Sequence, residues 1–298
     1  MIITPTFTDN FNVNFAADSA AAQAAWIAAA SAFTSNLTDN IHINILVDAV
    51  ADTSIFGQSN TSLVAVPYDN LRALLVASAA TPNDYVAIGA GGSMTVADPT
   101  HGTGTWWLTR AQAKALGMIP DDQSNDGTTI FGAGNPFTFS GDIAQNTFDF
   151  QGVAAHEISE VMGRLGLSGK SVGQTANSYS LLDNFSYTAA GQKGLVGGPD
   201  NYFSIDNGTT SLKLFNDPTV NQLDSRDWAP GTDDAFNQFA NPGVVNPVSA
   251  VDLQLMDVIG YALVPAPLVF HSFGGGVVHP QQAQGLQGRK PKGQKRRR

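Results

Sequence analysis

The sequence contains no cysteine in 298 residues. That excludes disulfide staples and thiolate metal sites, so a bound metal must be held by His, Asp, Glu, Tyr or backbone oxygen. Charge is scarce too: Asp, Glu, Lys and Arg make up 13% of the chain, about half the usual share. Ala, Ser, Thr, Asn and Gly fill the gap and predict a neutral, polar surface of the kind common in exported bacterial proteins. Secretion is the expected localisation, with a cytoplasmic location left open as the alternative. No apolar run approaches 18 residues, so no membrane span is expected. The first residues, MIITPTFTDNFNVNF, have neither the positive region nor the apolar stretch of a signal peptide, and the export route is not visible there.

Basic residues are scarcest of all over most of the chain. Seven of the 15 Lys and Arg side chains fall in the last ten positions, Arg289 to Arg298. The preceding 288 residues carry 8 basic and 25 acidic side chains, a net charge of −17. An acidic body repels nucleic acid and acidic membranes and attracts divalent cations. With 43% hydrophobic residues, a sizeable core is attainable.

Periodicity predicts an α+β domain over residues 1 to 263. The alternation F-N-V-N-F (Phe11 to Phe15) reads as a strand, and Asp18 as the cap of an Ala-rich helix reaching about Leu37. His42 to Val50 is a buried strand. Ser62 to Tyr68 is a strand at an edge, because Pro67 offers no ladder donor. Asn70 to Ser78 and Ala111 to Leu116 are short helices, the second capped by Thr109 and stopped by Gly117. Asp126-Gly127 reads as a turn before a strand around Ile130 and Phe131. A longer helix spans about Gln151 to Leu165, and a last one Ser249 to Ile259. Residues 264 to 298, rich in Pro, Gly and Gln with a basic end, predict a disordered tail.

Chemistry concentrates in V-A-A-H-E-I-S-E-V-M-G-R-L-G, Val153 to Gly166. Positions i and i+4 of a helix share a face, so His156 and Glu160 project side by side and can hold one cation. Glu157 lies about 100° round the helix, placed to reach a metal-bound water rather than the metal. Ala154, Ile158, Val161, Met162 and Leu165 form the opposite, buried stripe. The pattern follows the H-E-x-x-H logic of zinc proteases, in which the middle Glu is the general base.

On these residues the chain resembles the zincin metalloproteases of metzincin type. It is similar to a bacterial group of metalloproteases whose helix reads H-E-I-S-E-V-M-G-R. Further matches are A-Q-A-K-A-L-G at Ala111 to Gly117, D-x-F-x-Y at Asp183 to Tyr187, Y-F-S-I-D-x-G at Tyr202 to Gly208 and M-D-x-I-G-Y at Met256 to Tyr261. The resemblance covers residues 11 to 261. It implies a zincin-like catalytic domain with a mixed sheet, an active-site helix and a C-terminal helix. It also implies hydrolysis of a protein or peptide substrate, with Glu157 as general base. Glu160 stands where the second motif His is expected, and Gly166 where a third ligand is expected. The resemblance then points to Asp183 as the third ligand beside His156 and Glu160, and to Tyr187 as a donor to the developing oxyanion. Zn²⁺ is the implied metal; with one His and two carboxylates, Mn²⁺ or Ca²⁺ competes better than at His-rich sites.

Blander readings stand beside these. Glu160 and Arg164, at i and i+4, can pair on a solvated helix face. Asp183 suits an Asx-turn, and the acidic pairs Asp233-Asp234 and Asp224 with Asp227 suit turns as well. His42 and His101 read as structural or exposed. Two rival functions follow: a degenerate protease kept as a metal-stabilised binding or surface protein, and a calcium-stabilised adhesin-like module.

Overall fold

The chain begins with β1 (Ile2–Phe7), whose Pro5 fits an outer strand because the missing N–H faces away from the ladder. Next comes α1 (Asp9–Phe15), where a strand was expected. Thr8 caps it, its Oγ1 accepting from Phe11 N at 3.0 Å. The i, i+4 spacing puts Phe11 and Phe15 on one face with ring centroids 4.7 Å apart, while Val13 is 73% exposed. A two-residue alternation and a four-residue repeat coincide in these five residues, and the cap decides for helix.

Helix α2 (Ser19–Thr34) follows, then β2 (His42–Val50), β3 (Gly57–Thr61) and β4 (Leu63–Val66). Helices α3 (Tyr68–Ser78) and α4 (Pro82–Ile88) precede β5 (Thr105–Thr109), α5 (Arg110–Ala115) and β6 (Gly127–Gly132). Thr109 and Gln112 close a reciprocal capping box on α5. Asp126-Gly127 makes no turn: Gly127 opens β6, while the buried Asp126 pairs with Lys114 at 2.7 Å. The short β7 (Phe137–Thr138) and β8 (Phe148–Asp149) then lead into α6 (Phe150–Val161).

The main sheet runs β1-β2-β6-β3 and is mixed. Its first three strands are parallel, and β3 closes one edge antiparallel to β6. Every second residue of β2 is buried, as its alternation predicts. Helix α6 packs on β3, β6 and α2, and glycines let it come close. A Cβ on Gly127 would sit 2.7 Å from the Val161 side chain, and one on Gly57 would sit 2.3 Å from Glu157 Oε1.

The strand β9 (Ser178–Ser180) joins β4 and β5 in a second sheet, of order β4-β5-β9, so the segment before Pro67 is an edge strand as expected. Strands β10 (Ser186–Ala189), β11 (Gln192–Lys193), β12 (Tyr202–Phe203) and β13 (Lys213–Leu214) form a third sheet. Helix α7 (Pro218–Asn221) is one turn, and α8 (Ala250–Val258) closes the domain, with Asp252 Oδ2 accepting from Ser249 N at 2.8 Å.

This computed structural model describes residues 1–221 and 224–265. Among them, Met1–Pro265 forms one compact unit of mixed α+β architecture. Its end is stitched to the chain after α2 by Thr38 N to Ala262 O and Val264 N to Asn36 O, both 2.8 Å. Beyond Pro265 the expected tail lies outside the described residues. No helix among the described residues is long and apolar enough to cross a membrane.

Candidate metal centre

Helix α6 ends earlier than its sequence pattern suggests. Gly163, at φ +109°, takes the left-handed position that terminates helices. Gly163 N donates to Glu160 O and Arg164 N to Ser159 O, each at 2.9 Å, closing a Schellman turn. Arg164 therefore leaves the helix and turns inward, fully buried, instead of pairing on a solvated face. Its Nε donates to Ser159 Oγ at 2.7 Å, and its guanidinium stacks 4.7 Å from the Phe236 ring.

The i, i+4 geometry brings His156 and Glu160 together as expected. His156 Nε2 lies 3.4 Å from Glu160 Oε1 and 3.5 Å from Asp227 Oδ1. One donor atom from each of these three residues falls within 4.8 Å of the others, the one such set among the described residues. The other imidazole nitrogen, Nδ1, is 2.9 Å from Ala235 O. A backbone carbonyl can only accept, so Nδ1 carries the hydrogen and the Nε2 lone pair faces the carboxylates whenever the ring is neutral. Ser59 Oγ on β3 donates to Glu160 Oε2 at 2.6 Å. Arg164 Nη2 stands 3.6 Å from Glu160 Oε1.

These charges perturb one another. Burial and Arg164 push the His156 pKa down, but Asp227 and Glu160 outweigh them and raise it to about 9. Burial would raise Glu160, yet His156, Arg164 and the Ser59 hydroxyl hold it down at about 2. Glu157 is raised well above the carboxylate range, by burial first and by the Glu160 charge second.

Glu157 faces a cleft of about 200 Å³ whose lining includes Phe56, His156, Asn237, Phe239 and Asn246. It is 5% exposed and its Oε2 has no hydrogen-bond partner. Within this group are a potential ligand set, a buried carboxyl whose pKa is raised, and an open space beside both. That combination can activate a water against a polarised bond.

Asp183 does not join the cluster. Its Oδ2 accepts from Leu167 N, Ser168 N and Ser180 N at 3.1, 2.9 and 2.8 Å, and its Oδ1 from Arg226 Nε at 2.8 Å. With both oxygens engaged and the side chain fully buried, it has no free lone pair for a cation. Its partner Arg226 directly precedes Asp227, so Asp183 anchors the segment that delivers the third donor. Tyr187 is also elsewhere: it is fully buried, lies under Lys193 Nζ at 4.4 Å, and its hydroxyl has no partner. Burial raises its pKa, and it is not part of the cleft lining, so it cannot serve an oxyanion there. His42 pairs with Asp121 at 2.8 Å, outside the cluster.

Asp227 is the residue that sequence reasoning assigned to a turn. The one available signal was an acid wedged between Arg226 and Trp228 in a chain poor in charge. The chain matches no family model, no curated protein and no solved structure.

Proposed function

We propose that this protein is a metal-dependent peptidase in which His156, Glu160 and Asp227 hold a divalent cation, with Zn²⁺ as the first candidate. The observation that carries the reading is the pair of distances from His156 Nε2, 3.4 Å to Glu160 and 3.5 Å to Asp227. A tetrahedral cation about 2.0–2.1 Å from each donor sets its donors about 3.4 Å apart. The Nδ1–H bond to Ala235 O supports it, because metal-bound histidines commonly donate their other nitrogen to a carbonyl or carboxylate. The packing of α6 on β3 and β6 of the mixed sheet, which holds the helix motif in place, is a further support.

When bound, the cation supplies Lewis acidity toward a carbonyl and toward water. The protein's own groups do the rest. Glu157, raised in pKa and unpartnered at Oε2, takes the proton of the attacking water and returns it to the leaving amine. Ala235 O fixes the imidazole plane, and Arg164 and Ser59 fix the two ligand carboxylates. Phe56 and Phe239 give the cleft apolar walls against which a substrate can exclude water. Secretion belongs to the same proposal, supported by the absence of cysteine and the low charge.

A second reading, a binding protein without activity, is favoured by one observation. Arg164 already neutralises part of the cluster through a 2.5 Å bond to Asp227, so the site can close on itself without a metal. Metal analysis of purified protein, followed by a peptide library incubated with and without chelator, separates the two. Stoichiometric zinc with chelator-sensitive cleavage supports the peptidase; a metal-free protein inert on every peptide overturns it.

A further inference from the structure

Buried polar groups in folded proteins almost always have partners, so a cluster of exceptions marks a place where something else binds. Among the described residues, the unpartnered buried polar atoms include Asn246 Nδ2, Asn246 Oδ1, Asn237 Oδ1 and Glu157 Oε2. All three residues line the cleft beside His156. Asn246 is 4% exposed and Asn237 6%. For Asn246 the whole carboxamide, donor and acceptor alike, is unsatisfied.

The asparagine is nonetheless rigidly held by its backbone. Its N–H donates to Asp149 Oδ2 at 2.9 Å, while Asp149 Oδ1 caps α6 by accepting from Gln151 N at 3.0 Å. Gly152, one turn before His156, permits this approach: a Cβ there would lie 2.7 Å from Asn246 Cβ and 2.8 Å from Asn246 O. The fold thus presses a residue with an unused amide against the first turn of the helix that carries the candidate catalytic groups. Leaving such an amide unpaired costs stability, and a Leu of similar size would avoid that cost. Asn237 is tied only at one end, its Nδ2 donating to Thr232 O.

We propose that Asn246, with Asn237 Oδ1 as a further acceptor, is a specificity residue that pairs with an amide group of the ligand. A carboxamide offers N–H and C=O side by side. Its complement is another amide, either a peptide unit of an extended main chain or the side chain of Asn or Gln. The inference rests on reading this cleft as a peptide site, and names the contact that holds the peptide next to Glu157.

The test uses the full-length, ¹⁵N-labelled protein in excess chelator, so that neither metal binding nor turnover is involved. The probes are acetyl-tetraalanine methylamide, its analogue with alternate amides replaced by esters, and acetyl-tetraglutamine methylamide. The Asn246 side-chain cross-peak is assigned by its absence in Asn246→Leu. It should shift saturably with the alanine peptide and less with the ester analogue if the main chain is the source. A shift with the glutamine peptide alone assigns the side-chain source. Asn246→Leu should bind the active probe at least 10-fold more weakly while melting no lower than wild type, which a structural asparagine would not do. A cross-peak that moves with no probe, wild-type binding by Asn246→Leu, or melting several degrees lower overturns the inference. Failure of the peptidase reading looks different: the zinc-loaded protein would cleave nothing while the Asn246 signal still responds.

Discussion

Arg164 Nη1 donates to Asp227 Oδ1 at 2.5 Å, and that same oxygen lies 3.5 Å from His156 Nε2. A fixed guanidinium and a candidate ligand imidazole thus share one carboxylate oxygen, with Arg164 fully buried and Asp227 only 2% exposed. Removing one partner of a buried pair strands the other's charge and costs about 3–5 kcal/mol. Arg164→Met should therefore lose at least about 3 kcal/mol in chelator. Added zinc should narrow that gap, because the cation restores positive charge beside Asp227 and Glu160. Thermal melts of both proteins with zinc and with chelator check this; an unchanged gap would count against a metal at this cluster.

Ligand assignment has its own contrast. His156→Ala and Asp227→Asn should lose stoichiometric metal, since each removes a donor from a three-donor set. Asp183→Asn should keep the metal in its folded fraction while destabilising the protein, because it breaks a fully buried pair with Arg226. Metal content per folded molecule, measured after size-exclusion chromatography, distinguishes the two classes. Loss of metal on changing Asp183 with an intact fold would restore it to the ligand set.

Catalysis is tested at Glu157 and at its neighbour. Glu157→Gln keeps the shape and removes basicity, so metal content should survive while hydrolysis falls about 10²-fold or more. Gly57→Ala places a Cβ where Glu157 Oε1 now lies, 2.3 Å away. The carboxyl must then swing off, so this change should also lower kcat with the metal retained. Near wild-type turnover in Glu157→Gln would end the general-base assignment.

Much of this site was legible from residues on one helix. The i, i+4 spacing of His156 and Glu160 and the buried stripe of Ala154, Ile158, Val161 and Met162 are local consequences of a 3.6-residue period and are present, whereas Leu165, expected in the same stripe, lies beyond the helix end and is half-buried. Asp227 was not legible, because its role depends on a loop folding back across 63 residues to meet Arg164. No periodicity encodes such a contact. Asp183 misled for a related reason: a carboxylate close after the helix has the right chemistry, but three backbone N–H groups and Arg226 reach it first. In the fold, the α1 segment was misread because Phe11 and Phe15 satisfy two periods at once. Helix α6 was read too long because Gly163, not Gly166, takes the left-handed turn.

A pH dependence follows from α8. Asp257 is fully buried, accepts from Thr81 Oγ1 at 2.7 Å and Asn83 Nδ2 at 2.8 Å, and has its Oδ1 unpartnered. Burial is the main cause that raises its pKa to about 6. The folded state then holds a proton that the unfolded chain releases at lower pH. This group therefore opposes folding increasingly as pH rises from about 4 to about 6. Asp257→Asn keeps an acceptor for Thr81 and Asn83 without the charge. It should match wild type near pH 4 and exceed it in stability above pH 7; denaturant titrations at the two pH values decide, and equal stability at both would refute the assignment.

The distance in sequence between α6 and Asp227 also bears on how such a molecule would be made. During synthesis His156 and Glu160 emerge first, on a helix with two donors and no third, and domains complete their packing only once the late segments arrive. Arg164, buried beneath the helix end in the finished fold, has no Asp227 to hold it until then. On the proposed peptidase reading, a chain assembled in this order would lack its third donor while nascent, and its synthesis would not expose the producing cell to a complete site.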